Sequence, residues 1–318
     1  LSQLSIIIEG ELRKISYPKT PQNLYYPIDY VMGLGGKRIR PILLLMAHQL
    51  FDENIEKAIS PAIGVEIFHN FTLMHDDIMD NAPIRRGKKT VHKKWNKNIA
   101  ILSGDTMLVH AYQLLSDVDK NILKELITVF SKAATQVCEG QQWDMDFETQ
   151  KEVMLQEYLK MIEYKTAVLL AASLQIGGII ANTSKENKEN LYNFGLNMGL
   201  AFQLKDDLLD AFGNSDKFGK QIGGDIIANK KTFLYLKALQ LANNKQKQSL
   251  LNYFKTHEKD KQKVMEVKTI FSDLDIPKHT VDMMKAYYTK AMRHLDTIES
   301  DNKEPLLVFS KKLMDRVT

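Results

Sequence analysis

Apolar residues recur along the chain at three- and four-residue spacing almost throughout, and nowhere does the two-residue alternation of a half-buried strand persist. That pattern predicts helices over 99–115, 120–143, 152–181, 232–241, 245–257, 262–272 and 281–299. Another opens with Pro41 in its first turn. Ser60-Pro61 reads as an N-cap followed by proline at the first helical position, for a helix running to about Asp80 and stopped by Asn81-Ala82-Pro83. Ser184 can cap a helix that reaches Phe212 and ends at Gly213. The joints between these segments are rich in lysine and asparagine and read as surface loops rather than linkers. The expected fold is all-α, one large helical bundle, with residues 1–318 as a single domain.

Composition narrows the function classes. With 44% hydrophobic and 26% charged residues the chain is an ordinary globular sequence able to bury a large core. The net charge of +4 is small and its lysines are dispersed, without the basic stripe and stacking aromatics of a nucleic-acid binder. The one cysteine, Cys138, cannot form an internal disulfide, which fits a reducing, cytoplasmic setting. On the apolar periodicity it reads as core. The first residues lack the basic start and apolar run of a signal peptide. The longest apolar stretch, 167–181, is broken by Ser173 and Gln175 and falls short of the roughly 20 residues a membrane span needs.

Two acidic clusters of the same design carry the chemistry: Asp76-Asp77-Ile78-Met79-Asp80 and Asp206-Asp207-Leu208-Leu209-Asp210. Each lies in a predicted helix, so its first and last aspartates, at i and i+4, leave the same face. Two such faces opposed would form a negative trough. Hard cations offset that repulsion, and Mg²⁺ takes a few carboxylates together with water and phosphate oxygens. The trough therefore implies a phosphorylated ligand. On the first helix His69 falls about 20° from Asp76, on the metal face, and Asp80 about 40° from it. On the second, Gly195, Gly199 and Gln203 share the Asp206 face; the glycines fit close helix packing or, as the functional reading, room for a hydrocarbon tail. Basic groups bracket the acidic ones: Gly35-Gly36-Lys37-Arg38-Ile39-Arg40-Pro41, Arg85-Arg86-Gly87, Lys165-Thr166, and the 213–231 loop with Lys217, Gly219, Lys220, Lys230 and Lys231.

In that order, these motifs resemble the trans-type polyprenyl (isoprenoid) diphosphate synthases, over residues 35 to about 232. The resemblance implies an all-α isoprenoid-synthase bundle around a central cavity, and condensation of isopentenyl diphosphate with an allylic diphosphate. It assigns Asp76, Asp80 and Asp206, supported by Asp77, Asp207 and Asp210, to three Mg²⁺ ions. Lys37, Arg40, His69 and Arg86 would hold isopentenyl diphosphate. Arg85, Lys165, Lys220 and Lys230 would hold the allylic diphosphate, and the 213–231 loop would close as a lid. The carbonyl dipoles of Thr166 and Gln203 would face the allylic cation. It also implies a homodimer, for which Phe130, Val137 and neighbouring apolar residues are candidates, although the sequence does not separate a dimer stripe from a buried core stripe there.

In this family the residues four and five before the first aspartate, here Thr72 and Phe71, floor the cavity under the tail. Phe71 lies about 7.5 Å and Phe68 about 12 Å below Asp76 along the helix. A bulky Phe71 with a small Thr72 points to the C20 product, geranylgeranyl diphosphate, with C15 farnesyl diphosphate next. A class I terpene cyclase would carry Asn, Ser or Thr with Glu in its second motif and has no need of GGKRIRP. A non-catalytic regulatory subunit would typically have lost one aspartate motif, and this chain has both.

Overall fold

The structure, a computed structural model, describes residues 2–213, 223–255 and 261–314. Among these the fold is helical apart from one two-stranded hairpin, in agreement with the all-α expectation. The chain divides into two compact units. The first comprises residues 1–132, 172–192 and 298–309; the second comprises 133–171, 193–297 and 310–318.

The first unit is centred on α4 (Glu56–Met79), from which Ala62, Val65, Ile67, Phe68 and Met74 are all buried. A helix apolar on every side belongs in the middle of a bundle. Around it pack α1 (Ser2–Lys14), α2 (Gln22–Met32), α3 (Ile39–Gln49), the short α5 (Val91–Lys94) and α6 (Lys97–Leu115). Small residues set the closest approaches. A β-carbon on Gly64 would lie 3.0 Å from the Ala111 carbonyl oxygen of α6, so α4 and α6 meet at van der Waals contact only because it is absent.

α4 begins at Glu56, earlier than the Ser60-Pro61 signal suggests. Ser60 does not cap; its hydroxyl donates to the Leu114 carbonyl at 3.2 Å. Pro61 therefore sits inside the helix, at the cost of one backbone donor. Arg38 enters α3 with φ 47. It is buried against Glu66 (2.7 Å) and Glu9 (2.8 Å), a structural pairing that removes it from any ligand role.

α7 (Lys120–Thr149) runs six residues past the expected end. Cys138 is exposed on it, which reverses the expectation of a core cysteine, whereas Phe130 and Val137 are buried, the core rather than the dimer alternative for that stripe. The apolar stripe of this helix is core, and the cysteine lies beside it rather than in it. The expected single helix over 152–181 is α8 (Leu155–Ile162), a π-helical turn (Glu163–Ala167) and α9 (Val168–Ile180). α10 (Lys185–Phe212) starts at its predicted cap, with the Asn187 amide donating to Ser184 Oγ at 3.1 Å.

The second unit continues through α11 (Gly224–Ile227), α12 (Phe233–Leu241), α13 (Asn244–Tyr253), α14 (Lys261–Asp273) and α15 (Ile276–Thr297); the last helix, α16 (Glu304–Met314), begins in the first unit and ends in the second. Leu204, Leu208, Phe233, Leu236, Val267, Phe271 and Met284 make its core. Among the described residues no helix is long and apolar enough to cross a membrane.

Candidate active site

In the first unit the predicted phosphate-binding groups come together. After α4 the chain forms a hairpin, β1 (Ile84–Arg85) and β2 (Lys88–Lys89) in register Ile84 with Lys89. Arg86 (φ 51) and Gly87 (φ 74) occupy the two turn positions, the double positive φ of a type I′ turn. This turn sends Arg86 back onto the Gly35 carbonyl oxygen, to which its guanidinium donates, and toward Asn70 Oδ1 at 3.4 Å. Gly36 makes the approach possible, since a β-carbon there would lie 3.0 Å from the Arg86 guanidinium carbon.

Arg40 donates to His69 Nε2 at 3.1 Å, which makes that nitrogen the acceptor and His69 neutral. Burial, reinforced by Arg40, Arg86, Arg85 and Arg38, drives the His69 pKa well below 6.5. Burial also lowers the Arg40 guanidinium to about 10, and its Nε has no hydrogen-bond partner. Among the described residues no carboxylate lies within ion-pair distance of Arg40. A largely desolvated cation on which Glu66 acts only from beyond ion-pair distance is suited to an anionic ligand. Lys37 is exposed.

The three aspartates of the first motif divide by environment. Asp76 is half-buried and Asp80, which ends α4, is exposed. Asp77 is buried, and both its oxygens accept from Arg85 Nε, at 2.9 and 2.8 Å, with Nη2 also at 2.8 Å. Burial raises its pKa while the Arg85 bonds oppose the rise. Asp77 is thus paired with Arg85 across the hairpin. Thr72 donates to the His69 carbonyl at 2.8 Å. Phe71 and Phe68 are buried with ring centroids 5.5 Å apart; Phe68 meets Phe130 at 5.0 Å and Phe71 meets His75 at 4.7 Å.

In the second unit a cavity of about 460 Å³ is lined by Asp144, Asp206, Asp207, Asp210, Asp225, Lys165, Lys230, Lys231, Thr166, Gln203 and Tyr158, with Phe147 and Phe254 on its apolar wall. Sequence reasoning assigned seven of these polar groups to the site and named Lys231 beside them. It missed Tyr158, Asp225 and Asp144, to the last of which Lys165 donates at 2.5 Å. Glycine and a pair of glutamines in Gly140-Gln141-Gln142-Trp143-Asp144 were the available signal, since glycine within a helix asks for a close contact. A β-carbon on Gly140 would lie 2.8 Å from the Lys165 α-carbon.

Gly199 is explained in the same way. A β-carbon there would meet Ala167 Cα at 2.6 Å, so Gly199 serves tight helix packing and does not widen a cavity. The π turn carrying Lys165 and Thr166 is therefore gripped by a glycine of α7 and a glycine of α10. Such turns free a carbonyl from the helix ladder.

Asp206 is exposed on α10, and Asp210 Oδ2 accepts from the Asp225 amide at 2.9 Å. Asp207 is buried; it accepts from the Tyr158 hydroxyl and from Gln203 Nε2 at 3.1 Å. Burial pushes its pKa up to about 7 against the pull of the Tyr158 bond. Burial likewise drives the Tyr158 phenol far above its usual range. Thr166 Oγ donates to Gln203 Oε1 at 3.1 Å. Lys231 is spent on backbone, donating to the Phe147 and Gln150 carbonyls, the latter at 2.7 Å. Lys230 lines the cavity, whereas Lys217, Gly219 and Lys220 lie outside the described residues.

Among the described residues no three His, Cys, Asp or Glu side chains form a group that could hold a metal alone. The donor set is all carboxylate, which suits Mg²⁺ completing its octahedron with water and phosphate oxygens, and does not suit a soft metal. Lys165 and Lys230 stand among these carboxylates on the cavity wall.

A family model described as polyprenyl synthetase matches residues 21–273. A geranylgeranyl diphosphate synthase of Methanosarcina mazei is 42% identical over 222 residues, 69% of this chain and 68% of that protein. One from Saccharolobus solfataricus is 37% identical over 278 residues, 86% of this chain and 83% of its own. A crystal structure of a geranylgeranyl pyrophosphate synthase is 45% identical, with a TM-score of 0.94, covering 99% of this chain and 98% of that one. The chain belongs to the polyprenyl synthetase family.

Proposed function

We propose that this chain is a Mg²⁺-dependent trans-prenyltransferase that condenses isopentenyl diphosphate with allylic diphosphates and releases geranylgeranyl diphosphate. The observation that carries the reading is the second unit's cavity, where carboxylates and lysines line the same walls. A phosphorylated ligand bridged to cations satisfies both signs at once, and an uncharged substrate satisfies neither. The C20 product is supported by the names of the relatives and by Phe71 with Thr72.

Lys37, Arg40, His69 and Arg86 bind the diphosphate of the isopentenyl substrate, the guanidinium forks matching its oxygens. Arg85, held by Asp77, and Lys165, held by Asp144, meet the allylic diphosphate together with Lys230 and Lys220. Asp76, Asp80 and Asp206, with Asp210, are the carboxylates that would hold three Mg²⁺ ions. Mg²⁺ supplies Lewis-acid neutralisation of the departing pyrophosphate. The lysines and arginines add fixed positive charge where negative charge develops, which lowers the ionisation barrier. The Thr166 carbonyl and Gln203 Oε1 present negative dipole ends to the allylic cation. The double bond of isopentenyl diphosphate attacks that cation, and the proton then lost goes to the pyrophosphate.

The test is an assay with magnesium, dimethylallyl and isopentenyl diphosphates on the wild type and on Asp76→Ala and Asp206→Ala. The wild type should yield C20 product, and each variant should stay folded while losing turnover by a factor on the order of 10² or more. Cyclised hydrocarbon, or wild-type rates in either variant, would refute the reading; C15 product would correct the chain length.

We further infer a homodimer in which the partner covers the exposed face of α6. Ile101, Leu102 and Val109 are 42%, 59% and 56% exposed there, beside a groove lined by Leu108, Val109 and Tyr112.

A further inference from the structure

We propose that Asp207, the middle carboxylate of the second motif, is a positioning residue that sets the orientation of the Gln203 amide, with Tyr158 holding Asp207 in turn; this rests on the function proposed above. Asp207 accepts on both oxygens, and the only proton that Gln203 can offer it is on the amide nitrogen. Asp207 has both oxygens engaged, one by the Tyr158 hydroxyl and one by Gln203 Nε2 at 3.1 Å, and it is 4% exposed. On α10 it is turned about 100° away from the Asp206 face. Since the amide nitrogen of Gln203 must face Asp207, the amide oxygen must face the other way. There Thr166 Oγ donates to it at 3.1 Å. Gln203 Oε1 therefore becomes a fixed negative dipole on the cavity wall, preset for positive charge developing on the substrate.

The dependence on Tyr158 gives the proposal a specific signature. Tyr158 is buried, and its hydroxyl proton goes to Asp207. In Asp207→Asn the new amide must keep its oxygen toward Tyr158, because the alternative strands a buried phenol proton. Its nitrogen then faces Gln203, so the Gln203 amide turns over and presents N–H where the oxygen was. Removing the hydroxyl as well frees the asparagine to turn its oxygen to Gln203, which restores the original orientation. The double variant Tyr158→Phe/Asp207→Asn should thus work better than Asp207→Asn alone.

Two measurements on the full chain test this, with circular dichroism to verify folding. Binding of Mn²⁺ in the presence of inorganic pyrophosphate, followed by electron paramagnetic resonance, should stay within about twofold of wild type in Asp207→Asn and weaken about tenfold or more in Asp206→Asn. In steady-state assays Asp207→Asn should lower kcat about tenfold or more, with KM for both diphosphates changed less than about threefold, and the double variant should recover most of that loss. Mn²⁺ affinity falling in Asp207→Asn as far as in Asp206→Asn would make Asp207 a ligand and overturn the proposal. So would a double variant no faster than the single one. A wild type that does not elongate at all would instead sink the functional reading, and the Mn²⁺ comparison would still decide whether Asp207 binds metal.

Discussion

Arg86 sits at φ 51, in a region that costs a non-glycine residue roughly 1–2 kcal/mol. Its guanidinium reaches the Gly35 carbonyl and approaches Asn70 from that strained position, so the turn and the charge can be separated by experiment. Arg86→Gly relaxes the backbone and removes the charge. A charge-assisted bond is worth about 1.5–3 kcal/mol, so KM for isopentenyl diphosphate should rise on the order of 10- to 100-fold while the melting temperature does not fall. An equal rise for the allylic substrate would show that the two diphosphates are divided differently. Phe71 poses a second question at this scale. Its ring is packed against Phe68 and His75, and truncation to alanine should cost about 3 kcal/mol. Phe71→Ala should shift the products to longer chains and Thr72→Phe to shorter ones, read by chromatography of the extracted alcohols. The same distribution in both would move the floor elsewhere, to Phe68 first.

Among the elements the π turn at Glu163–Ala167 decides how Lys165 and Thr166 are presented, and Gly140 and Gly199 hold it from two helices. A methyl on Gly140 collides with the backbone of Lys165, which cannot move aside as a side chain would. Gly140→Ala should therefore destabilise by about 1–3 kcal/mol and lower kcat, because overpacking shifts the turn itself. Thermal melts and turnover check this together; a variant with wild-type values for both would mean that the turn does not depend on that contact.

The helices themselves were legible in the sequence, because a buried face every 3.6 residues leaves a period and Ser184 leaves a cap. The π turn was not, since an i→i+5 bond has no residue signature of its own. The order of the aspartate motifs was equally plain, yet the separate task of each middle aspartate was hidden. Asp77 is defined by Arg85 across a hairpin, and Asp207 by Tyr158 from another helix. The same limit explains Asp144, a lone carboxylate until Lys165 is set beside it.

At the scale of the whole molecule, the apolar stripe of α7 and the exposed apolar residues of α6 differ in burial. Phe130 and Val137 are core, so an apolar stripe alone did not identify a partner surface, and α6 instead exposes Ile101, Leu102 and Val109. A stable pair buries on the order of 800 Å² per partner, more than three side chains supply, so the face must extend along the helix past the Leu108–Tyr112 groove toward Ser116. Charge placed in the middle of that face should act without touching the fold, because Leu102 and Val109 are more than half exposed in the single chain. Sedimentation equilibrium of the wild type should give twice the chain mass of 36.5 kDa, and Leu102→Glu/Val109→Glu should give the chain mass itself with an unaltered helical spectrum. A doubly charged variant that still sediments at twice the chain mass would place the interface on another surface, and a wild type that sediments as a monomer would remove the dimer.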